Sequence, residues 1–259
     1  MKENLRFTFG KNWSRYSRII SDKMINKSYN DFSNLLPKNI NCSNMSFLDI
    51  GCGSGIHSLA AIKKGFKELE CVDYDIDSVS TTISNLKKFS NKNNYKVYKD
   101  DILNSKITKK FDLVYSWGVL HHTGNLNKAV SNASNLVSNN GFFIISIYKK
   151  TYFCNLWKFI KRFSNKIILF KLFFLLFYLP IFLILLIIKR KSLYTDRGMF
   201  FYYDVIDWVV GYPYESATNE EIVKLLKNDF ELINIYNNSK PAINGLLGTG
   251  CAEYVFQKK

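Results

Sequence analysis

The chain has 259 residues, enough for one large domain or two small ones, and 47% of them are hydrophobic. Its net charge is +15, but ten Lys and Arg residues and no acidic residue lie between Lys149 and Lys191, so this segment carries +10 of the total. Such concentration argues against a nucleic-acid-binding face spread over the protein. Five cysteines without a C-x-x-C pair argue against a disulfide framework and against a zinc site, so we expect no metal.

Apolar strands alternate with helices along most of the chain, which predicts an α/β fold with a doubly wound, mostly parallel sheet. Residues 11–36 are predicted to be helical. A capping box of Thr218 and Glu221 is expected to open the last helix. The predicted strands are 45–51, 68–75, 95–102, 111–119, 141–148, 231–238 and 251–258, and the later helices are 54–65, 77–90, 125–137 and 219–229.

The sharpest motif is LDIGCGSG, from Leu48 to Gly55, at a junction between a strand and a helix. Glycines at positions 51, 53 and 55 let a ligand approach the backbone, and the following helix presents free N–H groups. A dinucleotide-binding fingerprint has a glycine where this chain has Ile56. A tight turn that needs glycine only for steric reasons remains an alternative for this motif alone.

Acidic residues follow the second and third predicted strands. Asp73 lies 22 residues after Gly51, where a carboxylate can accept hydrogen bonds from both hydroxyls of a ribose. Asp101 ends the third strand, where its carboxylate can accept a hydrogen bond from the amino group of an adenine. Tyr74 and Ile102, each next to one of these acids, can sandwich the ring. Suitable groups at three successive strand ends together predict a nucleoside site.

The sequence resembles the class I S-adenosylmethionine-dependent methyltransferases. The resemblance is carried by FLDIGCGSG, VDYDIDSV, KDDI, FDLVYSWGVLHHTG and NGFFIISIY, and it continues through FGKNW, RGMFFYYDVIDWVVGYPYESA and GLLGTGCAEYVF. It covers nearly the whole chain except 150–195. The resemblance implies a Rossmann-like, seven-stranded sheet whose last strand is antiparallel, with helices on both faces and S-adenosyl-L-methionine as cofactor. The cofactor-binding residues that it implies are Asp49, Gly51, Cys52, Gly53, Gly55, Asp73, Tyr74, Asp101, Ile102, Ser116 and Trp117.

The acceptor side has two candidate groups. His121 and His122 follow the fourth strand, and an imidazole has the right basicity to take a proton from an acceptor hydroxyl. One of them ordering the loop is the alternative, and His57 is expected to be structural. Asp204, Asp207 and Glu215 lie among seven aromatic residues in 199–215, a composition that suits either a lid over a flat acceptor or core packing. The predicted catalytic residues are His121, His122, Asp204 and Asp207.

Residues 167–188 are almost continuously apolar and long enough to cross a bilayer. A single span would place strands 231–238 and 251–258 across the membrane from the rest of the sheet, so we expect none. Pro180 instead predicts two short helices, roughly 167–178 and 181–190, which form a hairpin in one leaflet. A cap packed on the enzyme or on a second subunit is the alternative. The basic residues expected to meet anionic headgroups are Lys158, Lys161, Arg162, Lys166, Lys189, Arg190 and Lys191.

We therefore divide the chain into 1–148, an N-terminal helix and the cofactor-binding part, 149–199, a basic and hydrophobic helical insert, and 200–259, an acceptor lid with the last helix and strands. The expected function is methyl transfer to a small or lipid-linked acceptor, at oxygen. A nucleic-acid methyltransferase and a non-catalytic scaffold are the alternatives. We expect a cytoplasmic protein that is peripheral on the inner face of the membrane and binds anionic lipids, with no role for nucleic acid.

Overall fold

The computed structural model describes residues 7–38, 40–188, 198–236 and 241–259. Seven strands form one sheet in the order β3-β2-β1-β4-β5-β7-β6. Strands β1 to β5 are parallel, and β7 runs antiparallel to both β5 and β6. This architecture confirms the predicted Rossmann-like sheet. The strands are β1 Ser46–Ile50, β2 Glu68–Asp73, β3 Tyr95–Lys99, β4 Phe111–Trp117, β5 Val137–Tyr148, β6 Phe230–Tyr236 and β7 Cys251–Lys258.

Helices cover both faces of the sheet because successive strand residues point to opposite sides. Phe47 of β1 belongs to one buried cluster together with Phe32, whereas its neighbour Leu48 belongs to a second cluster with Val130 and Ile222. The helices are α1 Gly10–Ser17, α2 Asp22–Ser33, α3 Ile56–Lys64, α4 Ile76–Phe89, α5 Leu126–Ser134, α6 Cys154–Lys166, α7 Ile168–Ile188, α8 Phe201–Val210 and α9 Asn219–Leu226. The single helix expected over 11–36 is therefore two helices.

The segment after β5 forms a helical hairpin whose corner is Ile167. The rings of Phe163 and Phe170 lie 5.9 Å apart beside the corner, and those of Trp157 and Tyr178 lie 5.1 Å apart farther along, so α6 and α7 run antiparallel. Trp157 also packs on Trp208 of α8 at 4.7 Å. A third buried cluster is formed by these three helices.

Two expectations about this insert are wrong. The segment does not turn at Pro180, because α7 continues through that residue from Ile168 to Ile188. Lys161 does not face headgroups, because its side chain is fully buried among the rings of the third cluster. Lys189, Arg190 and Lys191 lie outside the described residues.

Helix α7 has one packed face and one exposed face, and both are apolar. Phe174, Tyr178 and Phe182 pack on the third cluster, while Leu169 and Leu176 are 74% and 75% exposed. At about 1.5 Å per residue, 21 residues span about 31 Å, close to the thickness of a bilayer core. It is the one helix in the described part of the chain that is long and apolar enough to cross a membrane, and 6% of its most apolar stretch is buried. Length and composition alone are weak evidence for a span.

Candidate active site

The glycine loop joins β1 to α3 in a conformation that needs glycine. Gly51, Gly53 and Gly55 all have positive φ, at 79°, 56° and 76°. The N–H groups of Gly51 and Cys52 donate to the carbonyl of Val72 at 2.7 and 3.0 Å, so the loop is anchored to the end of β2. The loop backbone is thereby brought to the carboxyl edge of the parallel strands, where α/β proteins bind their ligands.

Asp73, the last residue of β2, is bonded to this loop. Its Oδ2 accepts from Gly53 N at 3.0 Å and its Oδ1 accepts from Asp75 N at 2.9 Å. Burial raises the pKa of Asp73 to about 6, although these backbone bonds favour the ionised form. The carboxylate is thus held in place beside the glycine loop, with a pKa close to neutral pH.

The second predicted acid lies at the end of the neighbouring strand. Asp101 follows β3, and its Oδ1 accepts from Leu103 N at 3.1 Å. Tyr74 is 40% exposed and Ile102 is 6% exposed, and both lie at the same strand ends. Asp100 N donates to the carbonyl of Asp73 at 3.0 Å, which fixes the two strand ends relative to each other.

One cavity of about 200 Å³ joins most of the predicted site. Gly118 is among the lining residues and has a φ of +75°; a Cβ built there has no atom within 4 Å, so the space beside it is open. The predicted residues that line the cavity are Gly51, Cys52, Gly53, Asp73, Tyr74, Asp101, Ile102, Trp117, His122, Asp204 and Asp207. Those found outside the lining are Asp49, Gly55, Ser116 and His121.

The residues outside the lining support its wall. Asp49 is buried and accepts from Ser58 Oγ at 2.6 Å, and burial raises its pKa to about 7. Ser116 is fully buried and its hydroxyl donates to the carbonyl of Ile50 at 2.9 Å. Ser116 was predicted to bind the cofactor, but it is not among the residues that line the cavity. Gly55 opens α3 as its N-cap.

The two adjacent histidines have different surroundings. His122 lines the cavity, and its Nδ1 lies 2.7 Å from the carbonyl oxygen of Pro213, so Nδ1 carries a proton and Nε2 keeps a lone pair. Burial lowers the pKa of His122 to about 3, and the charge of Lys161 acts in the same direction. The ring is therefore neutral at physiological pH, and the lone pair on Nε2 can accept a hydrogen bond.

His121 is fully buried behind the cavity. Its ring lies 3.9 Å from that of Tyr148, and its Nδ1 accepts from Tyr148 N at 3.4 Å. Burial holds the pKa of His121 well below its usual value. These contacts make His121 a support for the loop that carries His122. Two successive histidines in the sequence gave no means of separating these roles.

Helix α8 brings the two predicted acids to the cavity. Asp207 Oδ1 accepts from Asn12 Nδ2 of α1 at 2.7 Å, and burial raises the pKa of Asp207 well above its usual value. Asp204 lies one turn earlier and also lines the cavity. Glu215 has another role, because its Oε2 accepts from Leu126 N at 2.9 Å and so caps the start of α5.

Aromatic residues near the N-terminus close the cavity, and the sequence interpretation did not include them. Phe7, Phe9 and Trp13 line it. A Cβ built on Gly53 lies 3.2 Å from the Trp13 indole, which shows how closely this ring covers the glycine loop. Gly10 N, at the start of α1, donates to Asp75 Oδ2 at 2.8 Å and ties the helix to the cofactor side. The FGKNW motif was the available signal.

Residues 41–166 match the model of a methyltransferase domain family. The chain is also 29% identical over 108 residues to the ubiquinone biosynthesis O-methyltransferase of Pelagibacter ubique (strain HTCC1062), a match that covers 42% of this chain and 44% of that protein. Residues 41–166 therefore carry a methyltransferase domain of the S-adenosylmethionine-dependent family. The cofactor of this family is S-adenosyl-L-methionine, and the glycine loop, the strand-end acids and the open space beside Gly118 fit it.

Other methyltransferases share parts of the sequence or the fold. The type II methyltransferase M.VspI of Vibrio sp. (strain 343) is 36% identical over 95 residues, covering 34% of this chain and 23% of that protein. The chain thus spans less than half the length of either curated relative. The fold matches the N-methyltransferase NodS of Bradyrhizobium japonicum WM9, solved with S-adenosyl-L-homocysteine, with a TM-score of 0.59 at 12% identity over 97% of this chain and 99% of that one.

Among the described residues, no group of three or more His, Cys, Asp and Glu side chains is arranged to hold a metal ion. The five cysteines are free thiols.

Proposed function

We propose that this chain transfers a methyl group from S-adenosylmethionine to an oxygen atom of a small or lipid-linked acceptor. The observation that carries this proposal is that one cavity is lined by Asp73 and Asp101 and also by His122. A cofactor held by the two acids would therefore share this cavity with the imidazole. With its Nδ1 bonded to Pro213, the neutral His122 can accept a hydrogen bond from an acceptor hydroxyl at Nε2.

When bound, the cofactor supplies an electrophilic methyl group. Asp73 accepts the ribose hydroxyls and Asp101 accepts the adenine amino group, while the glycine loop leaves room for the amino-acid part. The rings of Phe9, Trp13 and Trp117 exclude water from the reaction. His122 Nε2 orients the acceptor hydroxyl and takes its proton as the oxygen attacks the methyl group, so that no free alkoxide has to form first.

We also propose that the exposed face of α7 docks on the inner surface of an anionic cytoplasmic membrane. Phe173, Leu176 and Ile184 on this face are 62%, 75% and 55% exposed. Basic Arg162 and Lys166 adjoin it on α6, and no acidic residue occurs between positions 149 and 191. A basic and apolar surface of this kind suits anionic lipid, since apolar area gives affinity and lysines meet headgroups.

A nucleic-acid acceptor is the second candidate, because the chain has a net charge of +15 and resembles M.VspI. The placement of the charge favours lipid instead, since +10 lies in the segment that carries the apolar hairpin. Binding to RNA and DNA over a salt series separates the two acceptors. Under our proposal the binding is weak throughout, whereas tight binding with a steep salt dependence supports the nucleic-acid acceptor.

Incubation with methyl-labelled cofactor and a cell extract tests the function directly. We expect the label in a lipid or small-molecule fraction, and we expect base treatment to leave it on the acceptor as an ether. Asp73→Ala is the matched control, because it measures how much label is transferred independently of this cofactor site. Label in protein or nucleic acid, or equal label with Asp73→Ala, contradicts the proposal.

A further inference from the structure

The carboxylate of Glu253 holds the indole of Trp117 at the wall of the cofactor cavity. Trp117 ends β4 and lines the cavity, and its Nε1 donates to Glu253 Oε1 at 2.6 Å. Glu253 itself is 6% exposed, is not among the lining residues and belongs to β7, which lies two strands away from β4. Its carboxylate therefore reaches the cavity through the ring of Trp117.

The register of the sheet brings these two residues together. Ser146 of β5 pairs with Trp117 on one side and with Glu253 on the other, so all three side chains project from the same face of the sheet. Neighbouring strands are about 4.8 Å apart, so the indole and the carboxylate together bridge about 10 Å. The small side chain of Ser146 leaves room for this bridge. The ring of His57 also packs on the indole, with 5.6 Å between the ring centroids.

Packing of the sheet does not require an acid at this position. The preceding row on the same face consists of Tyr115, Ile144 and Val255, which are in register and at most 1% exposed. Aromatic and aliphatic side chains therefore close this face one row away from the cavity. The row of Trp117 and Glu253 lies at the carboxyl ends of the parallel strands, where the cavity is. Its place in the sheet indicates a role toward a ligand in the cavity.

The cavity is also rich in carboxyl groups. Neither lysine nor arginine is among its described lining residues, although the chain has a net charge of +15. The acids that line it are Asp73, Asp75, Asp100, Asp101, Asp204 and Asp207. S-adenosylmethionine carries a sulfonium cation, whereas its product S-adenosylhomocysteine has a neutral thioether in the same place. A lining of this composition suits the cation, which is the form present before the transfer.

We propose that Glu253 is a positioning residue that makes the cavity favour the sulfonium form of the cofactor over its neutral product. The face of an indole attracts a cation more strongly than any other aromatic side chain, and a carboxylate that accepts from the indole N–H polarises the ring further in that direction. The same hydrogen bond holds the ring in one orientation. S-adenosylhomocysteine lacks this attraction and leaves more readily after the transfer. The inference rests on the proposed function, because it requires the cofactor to bind in this cavity.

Calorimetry of the full chain with S-adenosylmethionine and with S-adenosylhomocysteine measures this preference as a ratio of two affinities. Glu253→Gln keeps an acceptor for the indole N–H but removes the carboxylate charge. We expect it to lower the ratio by about threefold, the lower end of a cation–π contact, and to change the affinity for S-adenosylhomocysteine by less than about twofold. Glu253→Leu removes the acceptor as well and should lower the ratio by about tenfold. A purely structural role would lower both affinities together and leave the ratio unchanged.

Glu70→Gln is the matched control for the loss of a carboxylate that is bonded to an aromatic side chain. Glu70 Oε2 accepts from Tyr98 Oη at 2.6 Å between the neighbouring strands β2 and β3, and neither residue is among those described as lining the cavity. This variant should therefore leave the ratio unchanged.

Trp117→Phe separates an effect through the indole from a direct effect of the charge. It keeps a ring but removes the N–H, so it should itself lower the ratio by about threefold, and adding Glu253→Gln should cause no further decrease. The inference is overturned if Glu253→Gln leaves the ratio unchanged, or if it lowers the ratio again in the Trp117→Phe chain. If neither Glu253 variant folds, Trp117→Phe alone decides: a lower ratio supports the inference and an unchanged one overturns it. If the unmodified chain binds neither molecule, the proposed methyltransferase function fails instead.

Discussion

The Nδ1 atom of His122 lies 2.7 Å from the carbonyl oxygen of Pro213. Because a carbonyl can only accept, this contact fixes the tautomer with its proton on Nδ1 and the lone pair on Nε2. His121, the preceding residue, accepts at Nδ1 from Tyr148 N instead. The neighbours therefore have opposite tautomers, and His122 is the one that lines the cavity.

His122→Ala should lower kcat by about 100-fold while the affinity for the cofactor holds, because a general base contributes roughly that factor to the chemical step alone. The measurement is turnover beside calorimetric binding of S-adenosylhomocysteine. His57→Ala is the control, since that residue also lines the cavity but was predicted to be structural. A rate near that of the unmodified chain for His122→Ala would leave the proton to solvent, to Asp204 or to Asp207.

Asp73→Ala should weaken cofactor binding by about 1.5–3 kcal/mol, or roughly 10- to 150-fold, because it removes the acceptor of two ribose hydroxyls. Calorimetry with S-adenosylhomocysteine measures the change. Asp22→Ala removes an exposed carboxylate at the start of α2 and should leave the affinity unchanged. If both variants bind equally well, Asp73 is not the ribose acceptor.

Cofactor affinity should also fall as the pH falls through about 6. Burial raises the pKa of Asp73 to about 6, and ribose hydroxyls that donate to the carboxylate favour its ionised form. Binding therefore lowers that pKa and releases a proton, so affinity is constant above about pH 7 and decreases below 6. His122, whose pKa burial lowers to about 3, stays neutral over this range.

Calorimetry between pH 5 and pH 8 in buffers of different ionisation enthalpy would measure both the affinity and the released proton. Asp73→Asn should bind weakly with little pH dependence over the same range. A pH dependence that persists in Asp73→Asn would assign it to another group.

Local patterns in the sequence predicted the elements whose signals are themselves local. The capping box of Thr218 and Glu221 opens α9 with both of its hydrogen bonds, as expected. The sequence analysis placed the hairpin corner at Pro180 because a proline lacks a backbone N–H and so usually breaks a helix. In α7 the packed stripe of Phe174, Tyr178 and Phe182 spans Pro180 and offsets that loss, while the real corner at Ile167 has neither glycine nor proline to mark it.

Lys161 shows a different limit of sequence reasoning. Because other basic residues lie near it in the sequence of α6, Lys161 was predicted to belong to a basic surface. Its ammonium in fact donates to the carbonyl of Trp208, 47 residues away, and lies 4.2 Å from the centre of that indole. Only the packing of α8 on α6 creates this environment, and no local pattern in the sequence indicates it. Likewise, the tautomers of His121 and His122 are set by hydrogen bonds with Tyr148 and Pro213, which are distant in sequence.

Lys161→Met should lower the free energy of unfolding by roughly 2 kcal/mol, because it leaves the buried carbonyl of Trp208 without its donor. Burial lowers the pKa of Lys161, and the nearby carboxyl of Asp207 only partly opposes that shift. Urea denaturation measures the loss, and Arg162→Met, on the exposed side of α6, should stay within about 0.5 kcal/mol. Equal effects of the two single variants would mean that the buried hydrogen bond does not contribute.

Membrane binding should depend on one face of α7 only. Leu169, Phe173, Leu176 and Ile184 are exposed, so replacing all four with Ser removes apolar area from the docking surface without opening the third cluster. We expect this variant to move from the membrane to the soluble fraction with its sheet intact, which far-ultraviolet circular dichroism and binding of S-adenosylhomocysteine would show. Leu175→Ser with Leu179→Ser, on the packed face, should instead lower stability.

The position of the two chain ends decides between docking and crossing. Strands β6 and β7 follow α7 in the chain, and β5 precedes α7. Because β7 pairs with β5, both ends of α7 have to lie on the same side of the membrane as the sheet. Tags placed before Met1 and after Lys259 should therefore both be cytoplasmic, and salt alone should not extract the protein, because apolar contact is insensitive to screening. A C-terminal tag outside the cell would require a span and could not coexist with the pairing of β5 with β7. Extraction of the unmodified chain by salt would mean that the lysines bind the membrane and the α7 face does not.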